Sequence, residues 1–137
     1  MKYIIKEDKL ADSSAFLLVL KARYELLKKG LSDKYCLEDF YNVIYAEYDK
    51  EVVGVIVFSI MCGRPVCWIT IMWVEPEHRK KGVLKKMLIK LKKYVKEDIT
   101  DEIKFLDLGT HFSNTDMQEI SEKLGFSKQW INYRKTL

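Results

Sequence analysis

A long apolar segment runs through a short basic loop directly into an amphipathic helical pattern. Residues 66–74 are almost wholly apolar and rich in β-branched and aromatic side chains, which predicts a strand covered on both faces. Residues 83–96 place apolar side chains at helical spacing and lysines on the opposite face. Because a strand covered on both faces needs helices packed against it, the sequence predicts a mixed α/β domain.

The remaining hydrophobic patterns supply the other layers of such a domain. Two apolar runs flank Asp49-Lys50-Glu51, which is typical of a hairpin, and Gly30 and Gly125 each end a helical pattern. The predicted order begins with a strand at 3–6, a helix from the Asp12–Ser14 caps to Lys29 and a shorter helix at 32–41. Strands follow at 43–48, 52–61 and 66–74, and then the helix at 83–96. The chain ends with a strand at 104–110, a helix at 114–124 and one or two closing strands within 126–137.

The length and composition are those of one soluble domain. A chain of 137 residues is below the roughly 250 residues at which chains divide, so residues 1–137 are predicted to form a single domain. The apolar fraction of 48% is too high for a disordered chain. No apolar run reaches the ~20 residues that span a bilayer, and the charged N-terminus is unlike a secretory signal. We therefore expect a cytoplasmic protein without a membrane segment.

The three cysteines are interpreted as reduced thiols. An odd number of cysteines in a chain without a secretory signal is typical of a cytosolic protein, where thiols stay reduced. Cys62 and Cys67 flank a predicted turn and could pair if oxidised. Two buried thiols are the preferred interpretation on grounds of compartment.

The positive charge is concentrated in one segment. The formal net charge is +4, from 24 Lys and Arg against 20 Asp and Glu. Between Arg79 and Lys96 there are nine basic residues and no acidic one. Such a local field favours an anionic partner, which on charge alone is a nucleotide, a nucleic acid or a phosphate group.

The loop at residues 75–82 has the properties of an anion site. A helix N-terminus carries unpaired N–H groups and a partial positive charge, and Gly82 allows the backbone a close approach to a ligand. Arg79, Lys80 and Lys81 add mobile positive charge. The loop therefore predicts a phosphate or pyrophosphate site. It lacks the Gly-Lys-Ser/Thr ending of a P-loop and the Gly-x-Gly-x-x-Gly pattern of a Rossmann site.

Two ordered motifs identify a family. The segment Val74-Glu75-Pro76-Glu77-His78-Arg79-Lys80-Lys81-Gly82-Val83-Leu84 resembles the acetyl-CoA-binding motif V-x-P-x-x-R/Q-x-x-G-x-G/A of GNAT-type N-acetyltransferases. Downstream, Leu106-Asp107-Leu108-Gly109-Thr110 followed by Asn114 and then Glu122-Lys123-Leu124-Gly125-Phe126 is similar to the family segment L-x-L-x-T…N…E-K-x-G-F. The resemblance implies a central mixed, mostly antiparallel sheet of about six or seven strands flanked by about four helices.

The resemblance also implies a ligand and its binding residues. Acetyl-CoA would be the cosubstrate, without a metal, and its acetyl group would pass to a primary amine by direct attack in a ternary complex. The fourth and fifth strands would splay apart, and a backbone N–H near Val74 would polarise the thioester carbonyl. The implied contacts are Trp73 and Val74 to the pantetheine arm, the backbone N–H groups of Arg79, Lys80, Lys81, Gly82, Val83 and Leu84 to the pyrophosphate, and Asn114 and Met117 along the arm.

The chain departs from the family pattern at several positions. Ser121 stands where the family often has a tyrosine general acid, Met117 replaces a small alanine, and Leu84 replaces the last glycine or alanine of the loop motif. The predicted fourth strand also lacks a carboxylate that would act as general base. The candidate catalytic residues are therefore Ser121, His111, whose reference pKa of ~6.5 suits a base, and Tyr133. Leu84 and Met117 are expected to narrow the ligand site.

Three functions stay open at this point. The first is an acetyltransferase for a small-molecule or protein amine, as a monomer or a homodimer. The second is a CoA-binding module with little catalysis, because the family tyrosine is missing at Ser121. The third is a nucleic-acid-associated protein that uses the lysine-rich third predicted helix. This third function is disfavoured, since 20 acidic residues offset much of the charge.

Overall fold

The chain folds into a five-stranded sheet with helices on both of its faces. The computed structural model describes residues 2–30, 41–60, 64–99, 102–110, 114–129 and 133–136. The strands are β1 (Ile4–Lys9), β2 (Asn42–Tyr48), β3 (Glu51–Ile60), β4 (Val66–Val74) and β5 (Phe105–Leu108). The helices are α1 (Phe16–Lys28), α2 (Val83–Tyr94) and α3 (Thr115–Lys123), with 3-10 turns at Leu10–Asp12 and Pro76–His78 and a π-helical segment at Val95–Ile99.

The strands lie in the order β1-β2-β3-β4-β5. The first four are antiparallel, and β5 runs parallel to β4. Asp49 and Lys50 both have positive φ, 50° and 66°, as a two-residue hairpin between twisted strands requires. Since α2 carries the chain from the end of β4 back to the start of β5, β5 can only join in the parallel direction.

The sheet separates two hydrophobic clusters, which the alternation of side chains along the strands creates. On one face Ile44 and Phe58 pack with Met87 and Leu91 of α2. Met117 and Leu124, at the two ends of α3, pack against this same cluster. On the opposite face, called the α1 face below, Val43, Val55 and Ile71 pack with Val19 and Ala22 of α1. The expectation of a sheet covered on both faces is confirmed.

Two predicted elements need correction or fall outside the described residues. We expected six or seven strands and four helices, whereas the described part of the chain forms five strands and three α-helices. No strand is formed at 126–129 or 133–136, where closing strands were predicted. A strand needs a paired neighbour, and apolar periodicity alone does not supply one. Most of the short helix predicted at 32–41 lies outside the described residues.

Helix ends follow the sequence signals in part. Gly30 and Gly125 end their helices with positive φ, 69° and 93°, as predicted. The N-cap of α1 is Ala15, although a serine was predicted. Ser13 lies two residues before it, and its Oγ accepts a hydrogen bond from the Ala15 N–H. The helix predicted to run to Lys96 ends its α-helical part at Tyr94 and continues as the π-helical segment.

Cys67 lies in β4 as a free and fully buried thiol. Burial raises the pKa of this thiol to about 12, because the apolar surroundings disfavour the thiolate. The thiol is therefore neutral and inert at neutral pH, in agreement with the prediction of reduced, buried cysteines. Cys62, its predicted alternative partner, lies outside the described residues. None of the helices described is both long and apolar enough to cross a membrane.

Candidate active site

The central feature of the site is a free edge on β4. Residues Val66 to Ile69 pair with Phe105 to Leu108 of β5. β5 ends there, while β4 continues to Val74, so the backbone from Thr70 onward has no partner on that side among the described strands. The predicted splay between these two strands is confirmed. Such an edge presents N–H and C=O groups that an extended ligand can pair with.

A bulge in β4 stands where the free edge begins. The register against β3 passes from Phe58–Ile69 to Val57–Ile71, so Thr70 has no cross-strand partner. Bulges re-aim backbone groups and are frequent beside active sites. Thr70 Oγ1 is buried and makes no hydrogen bond to any described residue.

The loop after β4 has the backbone geometry that the predicted anion cradle requires. Lys80 and Gly82 have left-handed φ values of 62° and 78°. Gly82 is the N-cap of α2, and the first intrahelical bond is from Lys86 N–H to the Gly82 carbonyl. The N–H groups of Val83, Leu84 and Lys85 precede that bond and are therefore left for another acceptor. A Cβ built on Gly82 would meet no described atom within 4 Å, so the position beside the Gly82 Cα is open.

Arg79 does not act as the mobile charge that we expected. Its Nε donates a hydrogen bond of 2.7 Å to the Val74 carbonyl, and its guanidinium lies 4.8 Å from the centre of the Trp73 ring. The Arg79 N–H also donates to the Pro76 carbonyl, at 3.3 Å. Arg79 therefore ties the loop to the end of β4. The exposed side chains of Lys80 and Lys81 supply the mobile charge instead.

An ion pair that the sequence analysis missed fixes the other side of this loop. Glu75 accepts hydrogen bonds from Lys21 Nζ at 2.7 Å and from Trp73 Nε1 at 2.9 Å. Burial of the Glu75 carboxyl raises its pKa, but the hydrogen bonds from Lys21 and Trp73 outweigh that effect, and the net pKa is lowered. Lys21 lies on α1, so only the tertiary fold shows the pair.

The side chains of Leu84 and Met117 contact the hydrophobic core. Both are partly buried and pack against the cluster under α2. The effect of their bulk on the ligand site stays a prediction. Asn114 caps α3, and its Oδ1 accepts the N–H of Met117 at 3.2 Å.

Ser121 lies on the core-facing side of α3, between Met117 and Leu124. The residue is only 7% exposed, and its Oγ makes no hydrogen bond within the part of the chain that the structure describes. A buried hydroxyl without a partner costs ~1–3 kcal/mol, so such a group indicates a missing acceptor or donor. Ser121 on α3 and Thr70 on β4 are two such hydroxyls.

The other predicted catalytic residues gain no support from their positions. His111 lies outside the described residues. Tyr133 is 92% exposed, as a surface tyrosine is, and its catalytic role stays a prediction. Among the described residues, no three His, Cys, Asp or Glu side chains come together as a metal site.

Comparison with known proteins identifies the family. A profile of the Acetyltransferase (GNAT) family matches residues 11–126. The fold and the family define an acyl-CoA-dependent N-acetyltransferase. The chain belongs to the GNAT acetyltransferase family, as the two sequence motifs predicted. A search of curated protein sequences found no match.

Solved structures share the fold over almost the whole chain. An aminoglycoside acetyltransferase, meta-AAC0020 from an uncultured soil metagenomic sample, has a TM-score of 0.73 and 11% identity, with 98% of this chain and 96% of that chain covered. The ribosomal-protein-alanine N-acetyltransferase of Brucella melitensis has a TM-score of 0.71 and 18% identity, covering 99% and 100%. Aminoglycoside N-acetyltransferase AAC(6')-Iy in complex with CoA has a TM-score of 0.66 and 19% identity, covering 98% and 100%.

Proposed function

We propose that the protein transfers an acetyl group from acetyl-CoA to a primary amine by direct attack in a ternary complex. The observation that carries this proposal is the continuity of two features: the free β4 edge from Thr70 to Val74 leads directly into the anion cradle at Gly82. One feature fits the extended pantetheine arm, and the other fits the pyrophosphate. The buried hydroxyls of Thr70 and Ser121 have no hydrogen-bond partner among the described residues and fit an additional polar ligand.

In this proposal the backbone does most of the binding. The N–H groups from Lys80 to Leu84 hold the pyrophosphate. The Arg79 N–H, which we first included, is already bonded to the Pro76 carbonyl. The edge at Trp73 and Val74 pairs with the arm, a β4 N–H polarises the thioester carbonyl, and Asn114 and Met117 line the α3 side. A fixed backbone donor of this kind is typically worth ~3 kcal/mol in the transition state.

The chemistry needs a neutral amine, a polarised carbonyl and a proton for the leaving thiolate. The amine nitrogen forms a bond to the acetyl carbon while the carbon–sulfur bond breaks, and the amine proton is lost to solvent or to a base. Ser121 is the proposed hydrogen-bond donor to the leaving sulfur, and the proton that the thiolate finally takes up is the one lost by the amine, passed through solvent. A serine hydroxyl is a weaker acid than a tyrosine phenol, so we expect slower turnover than a tyrosine would give.

The acceptor belongs to the same proposal. The similar solved structures are named for aminoglycosides and for a ribosomal-protein alanine. We therefore keep both a small-molecule amine and a protein amine as proposed acceptors. We propose a cytoplasmic location, supported by the free, buried thiol of Cys67. We propose that the protein is a monomer or a homodimer. Nucleic acid is not proposed as a partner, because acidic residues offset most of the basic charge.

The proposal is tested by calorimetric titration with acetyl-CoA, with CoA as the comparison. We expect micromolar binding by the wild type and no measurable binding by Gly82→Asp. Gly82→Asn is the matched control, because asparagine has the same size and tolerates left-handed φ without adding a charge. Weak or unchanged binding by Gly82→Asn together with loss in Gly82→Asp supports the cradle. Equal binding by both variants would refute it, and no wild-type binding at millimolar ligand would refute the function.

A further inference from the structure

Trp68 and Asp107 are neighbours on the α1 face of the sheet. They are register partners in the parallel pair of β4 and β5. Their strand neighbours on either side, Cys67, Ile69, Leu106 and Leu108, pack in the cluster under α2. Because side chains alternate along a strand, Trp68 and Asp107 both point to the opposite face.

The indole of Trp68 extends along β5 on that face. A Cβ built on Gly109 would lie 3.4 Å from Trp68 Cζ2. The ring therefore covers the backbone of Gly109, which is the next residue after Asp107 to point to the same face. This contact places the indole over β5, on the face to which Asp107 also points.

The two side chains are accessible to a ligand. Trp68 is 37% exposed, and Phe105, which lies on the same face, is 59% exposed. Asp107 is half-buried, and no hydrogen bond or ion pair joins its carboxylate to another described residue. An aromatic ring and an unpaired carboxylate on one face together attract a cation, since each stabilises positive charge.

The position of the pair relates it to the proposed reaction. Trp68 lies two residues before Thr70, where the free edge of β4 begins, which is ~7 Å along the strand. The edge itself, from Val74 back to Thr70, is ~13 Å long. An acyl arm that starts at the cradle and follows this edge ends near Thr70. Trp68 and Asp107 stand beside that end, on the face opposite α2 and α3.

We propose that Trp68 and Asp107 form a subsite for a cationic group of the acceptor, an ammonium carried in addition to the amine that is acetylated. The inference rests on the proposed function and narrows it to diamines and polyamines. Asp107 supplies the counter-charge, and Trp68 supplies an aromatic surface that excludes water from it. Acceptors with one amine on a neutral body lack the group that this subsite recognises.

The test compares acceptors that differ in one ammonium group. Initial rates of CoA release are measured with 1,4-diaminobutane, with butylamine and with neamine, for the wild type, Asp107→Asn and Asp107→Glu. We expect the wild type to prefer the two polyamines. Asp107→Asn should lower kcat/KM for them by about tenfold, mainly through KM, because a charged hydrogen bond is lost. Asp107→Asn should leave kcat/KM for butylamine and the Kd of acetyl-CoA unchanged. Asp107→Glu should restore part of the preference for acceptors with more than one amine.

Matched controls separate the possible failures. Glu97→Gln removes an equally charged, exposed carboxylate from the π-helical segment that follows α2 and should change none of these values. Trp68→Leu should raise KM for the polyamines as well, while Trp68→Phe should retain the preference. Unchanged polyamine preference in Asp107→Asn would overturn the subsite, as would acetyl-CoA binding without turnover of either polyamine. Absence of acetyl-CoA binding would instead overturn the proposed function.

Discussion

The Tyr3 hydroxyl and Nδ1 of His78 are joined by a hydrogen bond of 2.9 Å. The imidazole also lies against the Tyr48 ring, with a centroid distance of 5.0 Å, and the two tyrosine rings are 5.1 Å apart. Tyr3 directly precedes β1, Tyr48 ends β2, and His78 ends the turn before the anion cradle. The edge of the sheet at β1 therefore positions the loop at Gly82.

Tyr3→Phe should weaken acetyl-CoA binding without altering the fold. The change removes only the hydroxyl, and a hydrogen bond of ~0.5–1.5 kcal/mol corresponds to about a twofold to twelvefold increase in Kd. Calorimetric titration measures the Kd, and thermal unfolding checks the fold. Tyr48→Phe is the control, because Tyr48 meets His78 through its ring. An unchanged Kd in Tyr3→Phe would show that the loop is positioned without this bond.

The Glu75 carboxylate should make stability sensitive to acid. Its pKa is lowered in the folded protein from a usual value of 4.5, so it stabilises the fold above that pH. The stabilisation is lost as the pH falls through the lowered pKa, because the unfolded chain then binds the proton more readily. We expect Glu75→Gln to lose this part of the pH dependence. Urea unfolding between pH 7 and pH 3 measures it, with the exposed Glu77→Gln as the control, and identical profiles for wild type and Glu75→Gln would contradict the assignment.

Ser121→Ala should have opposite effects on stability and on catalysis. The hydroxyl is buried and unpaired, so its removal should leave the melting temperature of the ligand-free protein unchanged or higher. If the hydroxyl donates to the leaving sulfur, kcat should fall by about tenfold, below the 10²–10⁴-fold of strong general acids. Ser121→Thr keeps the hydroxyl and should retain activity. Unchanged kcat in Ser121→Ala would remove Ser121 from the mechanism.

Gly54→Ala should destabilise the packing of α2 on the sheet. A Cβ at Gly54 would lie 3.0 Å from Met87 Cε and 3.4 Å from Val83 Cγ1, both of which are buried. Overpacking of this kind costs about 1–3 kcal/mol. In a Met87→Ala background the same change should cost less, since the nearest opposing atoms, Cε and Sδ of Met87, are gone. Urea unfolding of the four proteins gives the coupling energy, and purely additive effects would contradict this contact.

Much of the fold was predictable because local signals and burial agreed. The glycines at 30 and 125, the Asp49-Lys50 turn and the apolar run of β4 each specify a backbone conformation that short-range chemistry dictates. The closing strands were not predictable, since a strand is defined by a partner and an apolar pattern does not name one. The same holds for the bulge at Thr70, which exists only relative to β3.

The candidate site, like the fold, was predictable from the sequence only in part. The loop from Glu75 to Gly82 could be predicted because its residues are consecutive and its helix N-terminus is local. The role of Arg79 could not, because the direction of a side chain depends on what it packs against. Lys21, Tyr3 and Asp107 carried no signal of their own, and each acquires its role from a residue distant in sequence or on a neighbouring strand.

The sequence by itself determined the family, the loop between β4 and α2 and the order of most elements, because helix caps, turns and apolar periodicity act over a few residues. The tertiary structure alone decided where β5 stops pairing with β4, which hydroxyls are left without partners, and which charges meet. These are properties of surfaces brought together over long distances along the chain. Burial then fixes their energies, since a polar group removed from water must find its partner in the fold or in the ligand.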